Sequence, residues 1–292
     1  MKRVYEESEL ILSAGNKIYH LNLHPDDIAD TIIVVGDPGR VPAVSKHFDR
    51  IDLKVQNREI VTHTGYLNNT RISVLSTGMG PDNIDIVLNE LDALANIDLE
   101  KRSAKPTQRK LNIIRLGTSG AMQEDIPVDT FVASSYGLGI DGVMNFYKKT
   151  SEIAENEMVE EFIRQTQWPG FLARPYIVKA SDVLLEKVAF DMMQGITATA
   201  PGFFGPQGRE LRGELAFPEL NDRLSRFSYH SDRITNFEME TSALYGLGKI
   251  FGHETLTICV IIANRIAKQF SKDYKPLMEK LIITVLERLT SR

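Results

Sequence analysis

Residues Asn112–Met122 read NIIRLGTSGAM. Ile113, Ile114 and Leu116 form a strand-like apolar run, and Gly117-Thr118-Ser119-Gly120 reads as the turn that ends it. Arg115 lies inside the run. A guanidinium in an apolar strand is costly to bury unless an anion or a hydrogen-bond network meets it. The glycines let backbone approach a ligand closely, and Thr118 and Ser119 add hydroxyl donors. Open α/β sheets bind ligands at the carboxyl ends of their strands, where this turn falls. Two readings stay open from these residues: an anion site, phosphate foremost, or an arginine paired with a structural carboxylate.

Working outward, Thr31–Val35 is a β-branched run of the kind found in a buried strand. It ends in Gly36-Asp37-Pro38-Gly39-Arg40, which lacks the P-loop pattern. Arg40 then falls at the start of a helix expected over Val41–Phe48, where it either joins an anion at the helix N-terminus or is simply solvated. Strands are expected at Ile60–Thr64 and Ile72–Leu75, with a hairpin turn over Gly65–Asn69. Ile84, Val87, Leu88, Leu91, Leu94 and Ala95 carry the 3.6-residue period of a helix over Asn83–Ile97. Glu100–Lys110 is basic and polar and reads as an exposed loop. Strands follow at Thr130–Ser134, Gly195–Ala200 and Leu256–Ala263, and helices at Asn156–Gln167, Asp182–Met193 and Thr241–Ile250. In the C-terminal helix Leu277, Leu281, Val285 and Leu289 form a packing stripe. Alternating strands and helices imply one mixed α/β domain, with residues 1–17 as a polar extension.

Two further segments stand out. Pro201–Arg212 is Gly/Pro-rich and carries Phe203, Phe204, Gln207 and Arg209, either a binding loop or a surface loop with a packed Phe. Asn236–Glu240, NFEME, puts two carboxylates at the start of an apolar helix, where a Glu also complements the helix dipole.

Composition excludes several classes. The 292 residues are 42% hydrophobic and 25% charged, an ordinary globular balance. A net charge of -5 without a basic stripe argues against nucleic-acid binding but leaves room for a small anion held by local arginines. Cys259 is the only cysteine, so no intrachain disulfide or cysteine-based zinc site forms, and it reads as a small core residue. The six histidines are scattered, and His20, in the alternating Ile18–Leu23 stretch, reads as a surface residue. No apolar run follows Lys2 and Arg3, and none is long enough to span a membrane, so a cytoplasmic protein is expected.

Taken in order, VVGDPGRV, STGMG before a helix ending NEL, IIRLGTSGA, PQGR, NFEMETSALY and VIIANR resemble the nucleoside phosphorylase family, in its uridine phosphorylase branch. The resemblance runs from about Ile18 to Lys268 and is weaker over Ile97–Leu111, Val143–Lys179 and Leu211–Arg233. It implies a three-layer α/β/α fold with a central mixed β-sheet, and a pentosyltransferase that cleaves uridine with inorganic phosphate as co-substrate. It implies a homo-oligomer of dimers assembled into a hexamer, serving pyrimidine salvage.

By position, the resemblance implies a phosphate site of Gly36, Arg40, Arg115 and Thr118, with Arg58 reaching in from a neighbouring subunit. Glu240 and Met239 would meet the ribose, beside Thr118, and His20 of the neighbour would meet the 5′-hydroxyl. Gln207 and Arg209 would read the uracil edge, with Phe203 on the base and Arg265 supporting Arg209 or the O4 side. Some relatives hold a monovalent cation near a GGPS stretch. Here the stretch is Gly80-Pro81-Asp82-Asn83, and although Glu59 matches one ligand, Asn83 replaces a serine, so no metal or other cofactor is expected. The rival readings are a purine nucleoside phosphorylase or a nucleosidase of the same fold, and a non-catalytic nucleoside binder.

Overall fold

The computed structural model describes residues 3–291; Met1 and Lys2 of the expected extension, and Arg292, lie outside the described residues. Ten strands carry the architecture: β1 Thr31–Val35, β2 Arg50–Asn57, β3 Ile60–Leu67, β4 Thr70–Ser76, β5 Asn112–Ala121, β6 Phe131–Gly139, β7 Tyr176–Lys179, β8 Met193–Thr199, β9 Asp232–Glu238 and β10 Glu254–Asn264. The order across the sheet is β9-β8-β6-β10-β5-β1-β4-β3-β2, with β7 paired to β6. Neighbours are both parallel (β1 with β4 and β5, β10 with β5) and antiparallel (β2 with β3, β3 with β4, β6 with β10), so the sheet is mixed.

One pairing turns this sheet into more than a flat layer. β9 also pairs antiparallel with β5, Asn236 opposite Ala121 and Phe237 opposite Gly120. Strands β5, β10, β6, β8 and β9 therefore close into a ring. Closure needs strong curvature, which bulges supply between Ser134 and Tyr136 and between Ile261 and Ala263.

Helices cover both sides. The main ones are α1 Arg40–Ser45, α2 Pro81–Asn96, α3 Asn156–Thr166, α4 Asp182–Val188, α5 Leu220–Arg226, α6 Thr241–Phe251 and α7 Lys275–Thr290. The larger core joins β1, β4 and β5 to α2, α6 and α7 through residues such as Ile33, Ile114, Leu88, Leu244 and Leu281. A second core packs Phe162, Leu224 and Phe227 against Leu138, Ile196 and Phe237. β1 is buried along Ile32–Val35, as a near-continuous apolar strand covered on both faces should be. Among the described residues no helix is long and apolar enough to cross a membrane.

Several expected boundaries move. Gly117–Gly120 is not a terminal turn; it is strand, because β10 on one side and β9 at the end both supply ladder partners. Gly65 likewise lies within β3, and the reversal falls at Asn68-Asn69, whose positive φ of 49° and 62° suits a tight hairpin. The helix expected over Val41–Phe48 runs Arg40–Ser45, and that expected over Asp182–Met193 stops at Val188. The Glu100–Lys110 segment contains a short strand, Ser103–Ala104, bridged to Val4, and Arg102 donates to the carbonyls of Tyr5, Glu6 and Leu10. That segment is therefore the dock for the N-terminal extension, whose Leu10 is buried.

Candidate active site

The cluster around Arg115 follows from ring closure. Arg115 is 4% exposed and stands in β5 between Val34 of β1 and Thr257 of β10. Its guanidinium reaches the carboxylates that end β9: it lies 3.1 Å from Glu238 and donates to Glu240. Its third neighbour is the Cys259 sulfur at 3.5 Å, and its Nε has no partner among the described residues. A Cβ added at Gly117 would fall 2.2 Å from Nη1, so the guanidinium lies over Gly117 in space that a larger residue would take from it.

The two carboxylates divide their work. Glu238 accepts from the backbone N–H of Glu240 at 2.9 Å and of Thr241 at 3.1 Å, and from the Thr199 hydroxyl at 2.7 Å. It satisfies the N-terminal donors of α6 while serving as counter-ion to Arg115. Glu240 accepts instead from the N–H of Gly80 at 2.8 Å, at the start of α2. Gly80 has φ of 100°, which suits glycine there, and Pro81 then opens the helix.

Other expected site residues gather at the same carboxyl edge. Arg40 donates to the Leu116 carbonyl at 3.2 Å, and Thr118 is half-buried in β5. Gly36 ends β1, its carbonyl accepting from Gly78 at 3.1 Å, and half-buried Met239 sits between the two carboxylates. Arg58 and His20 stand apart. Arg58 is exposed at the β2–β3 turn, over the Tyr19 ring at 5.7 Å, and Tyr19 meets His20 edge-on. Among the described residues neither forms a hydrogen bond or ion pair with Arg115, Arg40 or Glu240.

A second cluster forms in the Pro201–Arg212 loop. Gln207 is 2% exposed, and its Oε1 accepts from Arg209 at 2.8 Å and from Arg265. Its carbonyl accepts from Arg265 at 2.7 Å as well. Guanidiniums only donate, so this pair fixes which way the amide faces. Arg209 also lies 3.9 Å over the ring of Phe203, which remains 52% exposed. The Arg265 Nε comes within 3.1 Å of where a Gly120 Cβ would be. The Arg115 and Arg265 guanidiniums thus lie against Gly117 and Gly120, three residues and about 10 Å apart along one strand.

Comparison with known proteins fits this arrangement. The family model described as "Phosphorylase superfamily" matches residues 30–289. The chain belongs to the phosphorylase superfamily. It is 29% identical over 262 residues to a uridine phosphorylase of Thermococcus kodakarensis, covering 87% of this chain and 80% of that one. It is 27% identical over 244 residues to a DeoD-type purine nucleoside phosphorylase of Bacillus cytotoxicus, covering 83% and 85%. A Trypanosoma brucei nucleoside phosphorylase, described as showing uridine phosphorylase activity, superposes with a TM-score of 0.81 at 30% identity, over 97% of this chain and 100% of that one.

Electrostatics in this phosphorylase separate the clusters. Burial would lower the Arg115 pKa, but Glu240 and Glu238 more than reverse it, so the charge is locked on. Burial, and then Arg115, depress Arg40. Burial raises Glu240; Arg115 opposes the shift and Glu238 adds to it. Arg265 is brought down to about 9, first by burial and then by Arg209, yet stays cationic at neutral pH. Two arginines with depressed pKa values facing one amide oxygen make a site short of negative charge.

Of the two readings of Arg115, the pairing with carboxylates is the one the side chains display. Glu238 fills both the helix-terminus role read for NFEME and the structural-carboxylate role read for the partner of Arg115. Cys259 is buried as expected, but it packs on Arg115 rather than on apolar atoms alone.

Proposed function

We propose that the chain is a uridine phosphorylase, a pentosyltransferase that converts uridine and phosphate reversibly to uracil and ribose 1-phosphate in cytoplasmic pyrimidine salvage. The observation that carries the reading is the Gln207 amide held between Arg209 and Arg265, with Arg265 against Gly120 of the strand that bears Arg115. Phosphate would lie at Gly36, Arg40, Arg115 and Thr118. Glu240 would accept from the ribose 2′- and 3′-hydroxyls, with Met239 against the sugar. Phosphate oxygen attacks C1′ as the C1′–N1 bond breaks, through an oxocarbenium-like transition state. The bond's electron pair leaves on uracil and spreads to O2 and O4, which Gln207 Nε2 and the guanidiniums stabilise. Positioning and charge supply the catalysis, with no covalent intermediate.

Arg58 and His20 are assigned to the site of a neighbouring subunit. Glu90, which holds His20, is ten residues along α2 from Gly80, which holds Glu240; that is about 15 Å of helix. This separation supports a dimer exchanging these residues, within a larger homo-oligomer. The test is a nucleoside panel with and without phosphate, following free base. Phosphate-dependent release of uracil from uridine is expected. Phosphate-independent release would favour a nucleosidase, and preferred release of hypoxanthine from inosine the purine rival.

A further inference from the structure

Glu90, the acidic residue of the NEL motif, has no place in the reaction above, yet its carboxylate holds one turn through two backbone N–H groups and a ring nitrogen. Its carboxylate, 13% exposed, accepts from the backbone N–H of His20 at 3.0 Å and of Leu21 at 2.8 Å. It also lies 2.6 Å from His20 Nδ1. Asn57 fixes the same turn from the other side, donating to the His20 carbonyl at 2.9 Å. An ionised carboxylate can only accept, so in the neutral ring the proton belongs on Nδ1. The ring is 27% exposed, and its Nε2 has no hydrogen-bond partner among the described residues.

We propose that Glu90 is a positioning residue that locks His20 in the Nδ1–H tautomer, so that a bare Nε2 lone pair selects a sugar bearing a free 5′-hydroxyl over one bearing a 5′-phosphate. This rests on the reading of His20 as a ribose contact. A hydroxyl can donate to the lone pair. A phosphate monoester offers only acceptors there, and meets the Glu90 charge behind the ring. Nucleosides are therefore accepted and nucleotides refused at one atom.

The test uses the full-length protein at pH about 8. Nitrogen NMR of wild-type His20 is expected to report the Nδ1–H tautomer; the Nε2–H form would overturn the proposal. His20→Ala should erase the preference for uridine over 5′-deoxyuridine, about tenfold for one hydrogen bond. If His20→Ala leaves that preference intact, the ribose reading of His20 fails and this proposal with it. Glu90→Gln keeps the shape and an acceptor for the two backbone donors. Its NH2 then faces Nδ1 and moves the ring proton to Nε2. In that variant uridine 5′-monophosphate should become a better competitive inhibitor, by about tenfold, with phosphate KM unchanged. Damage to the fold would weaken all ligands alike. An unchanged or weaker 5′-monophosphate Ki, with His20→Ala behaving as expected, refutes the tautomer lock alone.

Discussion

Arg115 donates to Glu240 across 125 residues of sequence, and the contact exists because β9 crosses back to pair with β5. Each is a partner of the other. In the proposed reaction both turn to substrate: the guanidinium to phosphate, the carboxylate to ribose. Whichever ligand arrives first breaks the pair, and the second meets a partner already released. Phosphate and uridine should therefore bind with positive coupling, which is reciprocal by thermodynamic necessity. Glu238 stays behind as counter-ion, tied to the start of α6.

Glu240→Gln should separate function from stability. Burial raises the Glu240 pKa in the folded chain above its unfolded value, near about 4.3. The folded state then holds that proton more tightly. Its contribution to stability is fully present below the unfolded value and is lost as pH rises through the folded one. The amide keeps the Gly80 contact without a buried charge, so urea midpoints at pH 7 should equal or exceed wild type. The wild-type change in midpoint between pH 5 and 7 should shrink. Uridine kcat/KM should fall about 100-fold or more with the loss of charge-assisted bonds to two hydroxyls. A variant less stable at pH 7 but kinetically normal would contradict both halves.

The sequence showed the main strands and helices where packing is local and periodic. α2 carries its apolar stripe openly, and β1 is a plain buried run. Strands β2, β7 and β9 escaped notice. β2 is an edge strand whose residues alternate between exposed and half-buried, and β9 is legible only once β5 is known to bend toward it. The same cause hid the carboxylate partners of Arg115. They come from a long-range pairing, and a sequence displays the residues of such a pair without the distance between them. Of the expected site residues, Arg115 stood out by itself as a guanidinium inside an apolar strand, whereas Arg58, His20 and Arg265 were placed only by the order of motifs shared with the family.

Gly117→Ala tests whether Arg115 acts through its placement. The added Cβ would fall 2.2 Å from Nη1 and 2.7 Å from Cζ, so the guanidinium must move while its charge and its carboxylates remain. A shift of about 1 Å at a reacting centre can cost about 100-fold. Phosphate KM should rise, or kcat fall, by about 10- to 100-fold, with the circular dichroism spectrum unchanged. Wild-type phosphate kinetics in the folded variant would remove Arg115 from the phosphate site.

Exchange of residues between subunits predicts complementation. Arg58→Ala disables a neighbour's site, whereas Glu240→Ala disables its own. Each variant alone should be nearly inactive. Mixed under conditions in which subunits exchange, they should regain part of the activity, because a hybrid dimer holds one site with both residues intact. Labelled subunits that exchange without any return of activity would rule the shared site out.

Base choice rests on the charge of the leaving group. A purine departs well when its N7 is protonated, which calls for an acid after the last strand. Here β10 is followed by Arg265, whose pKa, even lowered to about 9, leaves it cationic at pH 7. Asn264 is already committed, donating to the carbonyls of Gln123 and Ile126 and accepting from the N–H of Ile266 and Ala267. Asn264 has no acidic proton, and the Arg265 guanidinium keeps its own as a permanent cation. Two guanidiniums beside an amide suit a base that leaves as an anion through its oxygens. With Oε1 already between Arg209 and Arg265, Gln207 is left with Nε2 as its donor to uracil. Cytosine would turn an amino group toward the guanidiniums, donor to donor. Polar sites of this kind discriminate by roughly 10⁴-fold. Uridine should therefore be cleaved orders of magnitude faster than cytidine, inosine or adenosine. Gln207→Ala should lower uridine kcat/KM strongly, since it removes the donor and the acceptor that holds two cations together, and it should create no purine activity. Measuring kcat/KM for all four nucleosides in both proteins decides the matter: equal values for inosine and uridine in the wild type would transfer the assignment to the purine branch.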